Sequence, residues 1–245
     1  MTDDLEFGVD ISNWSGYITA AQAECWKREG IRFVVCGTQV FDTCRQQLAV
    51  ATEAGLKVEA YVYLYLDGDP EYQVRAARRT ISGFPVDRLW LDFEDSDPCP
   101  MPIIDFIRKS VSACGDFPCG IYTGSWWWTP RMGQTTEFAH LPLWIAHYDG
   151  VAKLDSPPLA PGWYPTMKQY RGSHELCGVT VDVNVRRKTV DCGLYALALE
   201  WLDRCRELET LVFNAGEQGA NPTALRLIAV RMNQIAAEWE AILKP

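Results

Sequence analysis

The sequence predicts an α/β fold: a modified TIM-like barrel of five β/α units followed by three strands, with a C-terminal α-helical hairpin beyond it. Three observations support this. Short β-rich runs recur along residues 1–186. Helix-like stretches fill the gaps between the early runs. The runs are apolar almost throughout, as parallel strands buried on both faces require. With 245 residues, 48% of them hydrophobic, the chain is long enough for one large barrel core.

The candidate strands are Phe7-Gly8-Val9-Asp10, Phe33-Val34-Val35-Cys36, Val58 to Leu66, Leu89 to Phe93, Gly120-Ile121-Tyr122, Leu143-Trp144-Ile145-Ala146, Met167 to Tyr170 and Val179 to Val185. Between the early strands, helical patterns cover Ala20 to Glu29, Cys44 to Ala54, Glu71 to Ser82 and Ile103 to Cys114, with glycine or proline near several ends. The segments joining the last three strands are rich in Pro, Gly, Ser and Asp and show no helical period, so loops are expected there.

From about residue 187 the pattern changes. Ala198, Trp201, Cys205, Leu208 and Val212 step by three and four, as do Leu225, Ile228, Met232, Ile235, Trp239 and Ile242. Asn214 to Asn221 reads as a turn, with Asn221 as cap and Pro222 at the first helical position. Two domains are therefore expected, a barrel over 1–186 and a helical hairpin over 187–245. The hairpin either packs against the barrel or serves self-association or docking to a larger assembly.

A net charge of −9 argues against nucleic acid or an anionic membrane as partner, because both attract basic surfaces. The acidic start MTDDLEFGVD lacks a secretory pattern, and no apolar run reaches the roughly 20 residues that span a bilayer, so synthesis in a cytoplasm is expected. The nine cysteines form no CxxC pair and are expected as reduced, mostly buried thiols; Cys114 and Cys119 are placed to pair in an oxidising medium. His140, His147 and His174 share no spacing with acids or cysteines that would make a metal site, and no cofactor motif occurs.

The chemistry is expected at the strand ends. The C-terminal ends of parallel barrel strands open onto the active-site face. Asp10 ends the first strand, Asp92 and Glu94 end the fourth, and Asp182 lies in the last. Residues 92 and 94 point the same way with α-carbons about 6.5 Å apart. Two carboxyls so close resist being ionised together, so one is expected to hold a proton near neutral pH and to serve as an acid. One such acid usually caps a loop or pairs with an arginine, but four of them with few basic neighbours imply a site.

Aromatics crowd the same ends, and rings with polar handles suit the apolar faces and hydroxyl edges of sugars. Tyr63, Tyr122, Trp126, Trp144 and Tyr170 are the candidate binding residues. Trp126-Trp127-Trp128 cannot all point inward, which leaves at least one for a cleft wall or interface.

Several stretches together resemble the family 25 glycoside hydrolases, lysozymes of the N-acetylmuramidase type. They are Gly8-Val9-Asp10-Ile11-Ser12-Asn13-Trp14-Ser15-Gly16, Ala60-Tyr61-Val62-Tyr63, Leu91-Asp92-Phe93-Glu94, Gly120-Ile121-Tyr122-Thr123, Leu143 to Tyr148, Gln169-Tyr170 and Val181 to Val185, in the family's order over residues 6 to 186. The resemblance implies the same barrel, and cleavage of the β-1,4 bond between N-acetylmuramic acid and N-acetylglucosamine in peptidoglycan glycan strands. It implies Glu94 as catalytic acid, Asp92 as its partner carboxylate, and Asp10 and Asp182 as supporting acids. Val62 departs from the family's frequent His, and Lys168 from its common Trp. A muramidase lacking a secretory signal would act on the wall after release by another protein, or as part of a phage particle.

Overall fold

The structure, a computed structural model, describes residues 5–188. The helices expected beyond residue 188 lie outside the described residues. Eight strands close into one barrel in chain order: β1 (Leu5–Ile11), β2 (Ile31–Gly37), β3 (Lys57–Tyr63), β4 (Val86–Phe93), β5 (Cys119–Gly124), β6 (Leu143–Ala146), β7 (Met167–Leu176) and β8 (Val179–Arg187). Strands β1 to β7 run parallel, and β8 closes the barrel antiparallel to both β7 and β1. Helices α1 (Ala20–Arg28), α2 (Phe41–Glu53), α3 (Pro70–Ile81), α4 (Ile103–Ala113) and α5 (Ser125–Met132) follow the first five strands in turn.

The helices start where the side chains can satisfy free backbone N–H groups. Thr19 and Gln22 form a reciprocal capping box at α1. Asp69 accepts from the N–H groups of Glu71 and Tyr72 at α3, with Pro70 at the first helical position and Arg78 and Arg79 in the last turn.

Alternation along the strands builds two cores. On β4, Leu89, Leu91 and Phe93 face the helices, and the Phe93 ring meets Phe106 of α4 and stacks on Trp127 of α5. Trp90 faces the barrel interior instead, packed with Phe33, Tyr122, Trp144 and Met167. Gly8 and Gly120 are required here, because a Cβ on either would collide with the Phe33 or Trp90 ring. The acids at the closed end of the interior are paired: Arg186 bonds Glu6 (2.6 Å) and Glu59 (2.5 Å), and the Trp90 indole N–H donates to Glu59 (2.6 Å). These buried charges are compensated and hold the barrel floor.

Three expectations need correction, and one is met. Strand β3 stops at Tyr63 rather than Leu66, because the Leu66 N–H turns aside to the Asp95 carboxylate (2.7 Å). The Trp126-Trp127-Trp128 run does not all point inward, as expected: it is helix α5, which at about 100° per residue sends Trp127 and Trp128 into the core and leaves Trp126 55% exposed. The segment expected as a loop before β8 is strand, joined by a two-residue turn in which Cys177 (φ 55°) and Gly178 (φ 75°) both take the left-handed conformation. The thiols are not all reduced: Cys177 in that turn is bonded to Cys25 of α1, while Cys36, Cys44, Cys99, Cys114 and Cys119 are free.

That disulfide spans 152 residues of sequence, so it removes much freedom from the unfolded chain. Cys25→Ser is expected to cost about 2–4 kcal/mol of barrel stability. Urea midpoints with and without reductant check this: the wild type should lose stability in reductant and the variant should not respond.

Candidate active site

The barrel brings all four predicted acids to the open end. Asp10 on β1 and Asp182 on β8 are register partners across an antiparallel pair, so both side chains lie on the interior face. Asp92 on β4 sits in register with Tyr63 of β3 and Tyr122 of β5. Glu94 follows two residues later, just past the strand, and is half-buried. Asp92 is only 3% exposed. Among the described residues, none of the ion pairs involves these carboxyls, in contrast to Glu6 and Glu59 below them.

Burial without a cation raises every one of the four. Asp10 is pushed up to about 7, by burial first and then by Asp182, against the hydrogen bonds from Asn184 and Gln169 that favour its charge. Asp92 stands well above the usual carboxylate range through burial, Glu94 and Asp10 in that order. Among the described residues its Oδ1 has no hydrogen-bond partner. Glu94 is raised by burial and then by Asp182, and Asp182 by burial against the Ser173 N–H. The Ser173 N–H donates to Asp182 Oδ1 at 2.6 Å, aimed there by an irregularity in the β7–β8 pairing. The site therefore keeps its protons to higher pH than ordinary carboxylates do.

An amide and phenol frame holds the acids. Gln169 Nε2 donates to Asp10 (2.8 Å) and Asp182 (3.2 Å), and Asn184 Nδ2 donates to Asp10 (2.6 Å). The Tyr122 and Tyr148 hydroxyls donate to Gln169 Oε1 at 2.7 and 2.6 Å. Sequence reasoning missed Gln169, Asn184 and Asp95 as site residues, and placed Tyr148 only among the aromatics at the strand ends. Asn184 was legible two positions after Asp182 on the same strand face. Asp95 departs from the strand and accepts from the Tyr63 hydroxyl (3.3 Å) and the Leu66 N–H, tying the β3 loop to the acid strand.

The predicted aromatics divide. Tyr63 lies half-buried beside Asp95, with its ring 4.9 Å from that of Tyr65. Tyr122 is buried within the acid frame, and Trp126 stands exposed. Trp144 is 1% exposed, and its indole N–H is spent on Asn184 (2.9 Å), so it is interior floor rather than cleft wall. Tyr170 is not brought to the cleft; the alternation that turns Gln169 inward sends it out to the helix-side core. A cavity of about 350 Å³ beside Asp10 and Asp182 is lined by Ser12, Trp14, Tyr61 and Ser173, with Trp14 91% exposed at its edge. Among the described residues no cluster of His, Cys, Asp and Glu is arranged to hold a metal, and no helix is long and apolar enough to cross a membrane.

An eight-stranded barrel with uncompensated carboxyls gathered at the open end of its parallel strands defines a barrel with an acid-lined cleft. The chain belongs to the glycosyl hydrolases family 25, whose family model matches residues 9–179. Counting factor 50 of Dictyostelium discoideum is 26% identical over 203 residues, covering 75% of this chain and 64% of that protein. Probable GH family 25 lysozyme 5 of the same organism is 29% identical over 192 residues, covering 72% and 88%. The CTP1L endolysin structure shares the fold with a TM-score of 0.61 at 19% identity, covering 76% of this chain and 67% of that one. The chain thus spans less than two thirds of the length of Counting factor 50.

Proposed function

We propose that this protein is a peptidoglycan hydrolase that cleaves the β-1,4 bond between N-acetylmuramic acid and N-acetylglucosamine. Membership of family 25 supports the class of reaction. The observation that carries the reading is the Asp92–Glu94 pair at the end of β4, interior, without a cation, and with both carboxyls raised.

In this reading Glu94 protonates the leaving glycosidic oxygen, and the resulting carboxylate then takes a proton from the attacking water. Oxygen of the substrate's own acetamido group attacks the sugar carbon, and the bond to the leaving oxygen breaks. Asp92 orients that acetamido group and stabilises the charged ring intermediate; its Oδ1, which lacks a partner, is the acceptor it has to offer. Asp10 and Asp182 support the pair from the opposite strands, while Tyr63, Tyr122 and Trp126 contact the glycan. Release from the cytoplasm to the wall would place Cys25 and Cys177 where a disulfide persists.

Digestion of purified cell walls followed by muropeptide analysis tests this. New reducing ends on N-acetylmuramic acid are expected. New ends on N-acetylglucosamine would reassign the bond cleaved, and glycan binding with no new ends would make the barrel a binding module.

A further inference from the structure

Gln169 touches both halves of the acid site. Its two N–H groups go to Asp10 Oδ2 and Asp182 Oδ2, and its carbonyl oxygen takes the hydroxyls of Tyr122 and Tyr148. Both donors and both lone pairs of the carboxamide are then occupied. The orientation follows from chemistry: turned over, the amide oxygen would face two carboxyl oxygens, acceptor against acceptor. The register of β7 with β8 supports the placement, since Gln169 is the partner of Asn184, which donates to the same Asp10 oxygen.

We propose that Gln169 is a positioning residue for the hydrolysis. It clamps Asp10 and Asp182 into one acceptor pair beside Glu94 and spends the protons of Tyr122 and Tyr148, so that their oxygen lone pairs are left for the substrate. The inference rests on the hydrolase reading above. An amide donor favours the charged form of each aspartate it touches, and the Asp182 charge in turn holds the proton on Glu94. The titratable groups around the pair are Cys36 from β2, Tyr61 from β3, Asp92 and Glu94 from β4, Tyr122 from β5, and Tyr148 after β6. Lys168, the neighbour of Gln169 on β7, points away to Asp149 (2.7 Å) and Asp155, so no ammonium from that strand competes with the amide.

Gln169→Met keeps the side chain's length and removes its hydrogen bonds. Without the donors, Asp10 and Asp182 keep their protons to higher pH, Glu94 loses a repelling charge, and its pKa falls. The expected result is a drop in kcat of roughly tenfold or more with KM within about threefold, and an alkaline limb of the kcat/KM profile moved to lower pH by roughly half a unit or more. A purely structural role would lower the amplitude and leave the limb in place, and that outcome overturns the proposal.

A measurement on the wild type stands apart from both folding of the variant and activity. With 15N in glutamine side chains, the Gln169 amide protons should be shifted downfield, protected from exchange, and should titrate with Asp10 near pH 7. Amide protons unchanged from pH 4 to 9 would remove Gln169 from this role. A wild type that leaves peptidoglycan intact would sink the hydrolase reading alone, because the amide titration reads the clamp without turnover.

Discussion

Glu94→Gln is expected to lower turnover of peptidoglycan by about 10²–10⁴-fold, the range that positioned proton transfer contributes, while leaving the fold and glycan binding in place. The glutamine has the same shape but no proton to give to the leaving oxygen. Glu94 is half-buried at the open end of β4 and, among the described residues, bears no hydrogen bond that organises the barrel, so the substitution should leave the melting temperature within a few degrees. The pH dependence has a definite sign. Glu94 is raised by burial and by Asp182, so the acid form persists above the ordinary glutamate range and activity falls on the alkaline side as that proton is lost. A steady-state assay on cell-wall fragments checks this, and a variant keeping more than a few per cent of wild-type kcat would take the acid role away from Glu94.

Asp92→Asn is expected to make the barrel more stable at pH 8 while lowering its activity. Asp92 is buried with its carboxyl well above the usual range, and Asp10 beside it is pushed to about 7 from an ordinary 3.8. A group raised in the folded state contributes stability that is fully present below about pH 4 and is lost as pH rises through the folded value, near 7 for Asp10 and well above the ordinary range for Asp92. Amide in place of carboxylate removes that loss. The gain should be about 1–2 kcal/mol at pH 8, roughly 2–8 °C in Tm, and should shrink towards zero at pH 4. Calorimetry at the two pH values decides it, and a variant less stable than wild type at pH 8 would refute the account of Asp92 as a strained acid. Glu137, held low by Arg108, and Asp149, exposed and held low by Lys168 against desolvation, act in the opposite sense: their contribution is lost as pH falls. Wild type and variant share them, so they cancel in the difference.

Much of this was legible in the chain itself. The apolar runs of β4 and β6 announced strands buried on both faces, and the carboxyls of Asp92 and Glu94, two residues apart, announced a common face. Tyr170 was misread because residue type cannot tell the barrel interior from the helix side; that depends on the phase of each strand, which closure of the barrel sets, while Trp144 does face the interior but lies buried with its indole N–H on Asn184. The Trp126-Trp127-Trp128 run carried no helical period of its own, and its helix is stabilised by packing of Trp127 and Trp128 against Phe93, Phe138 and Trp163. The Cys25–Cys177 bond was equally hidden, since a sequence separation of 152 had to be closed by the fold before the α1 thiol met the turn after β7.

By itself the sequence determined the eight strands, the barrel class, and which four acids end on one face, because side-chain alternation and helical period are local properties of the chain. Tertiary structure alone decided which acids lack a cation, which aromatic rings reach the cleft, and that Gln169 joins Asp10 to Asp182. Desolvation and hydrogen bonding depend on neighbours brought from β1, β7 and β8, and no local stretch of sequence contains them.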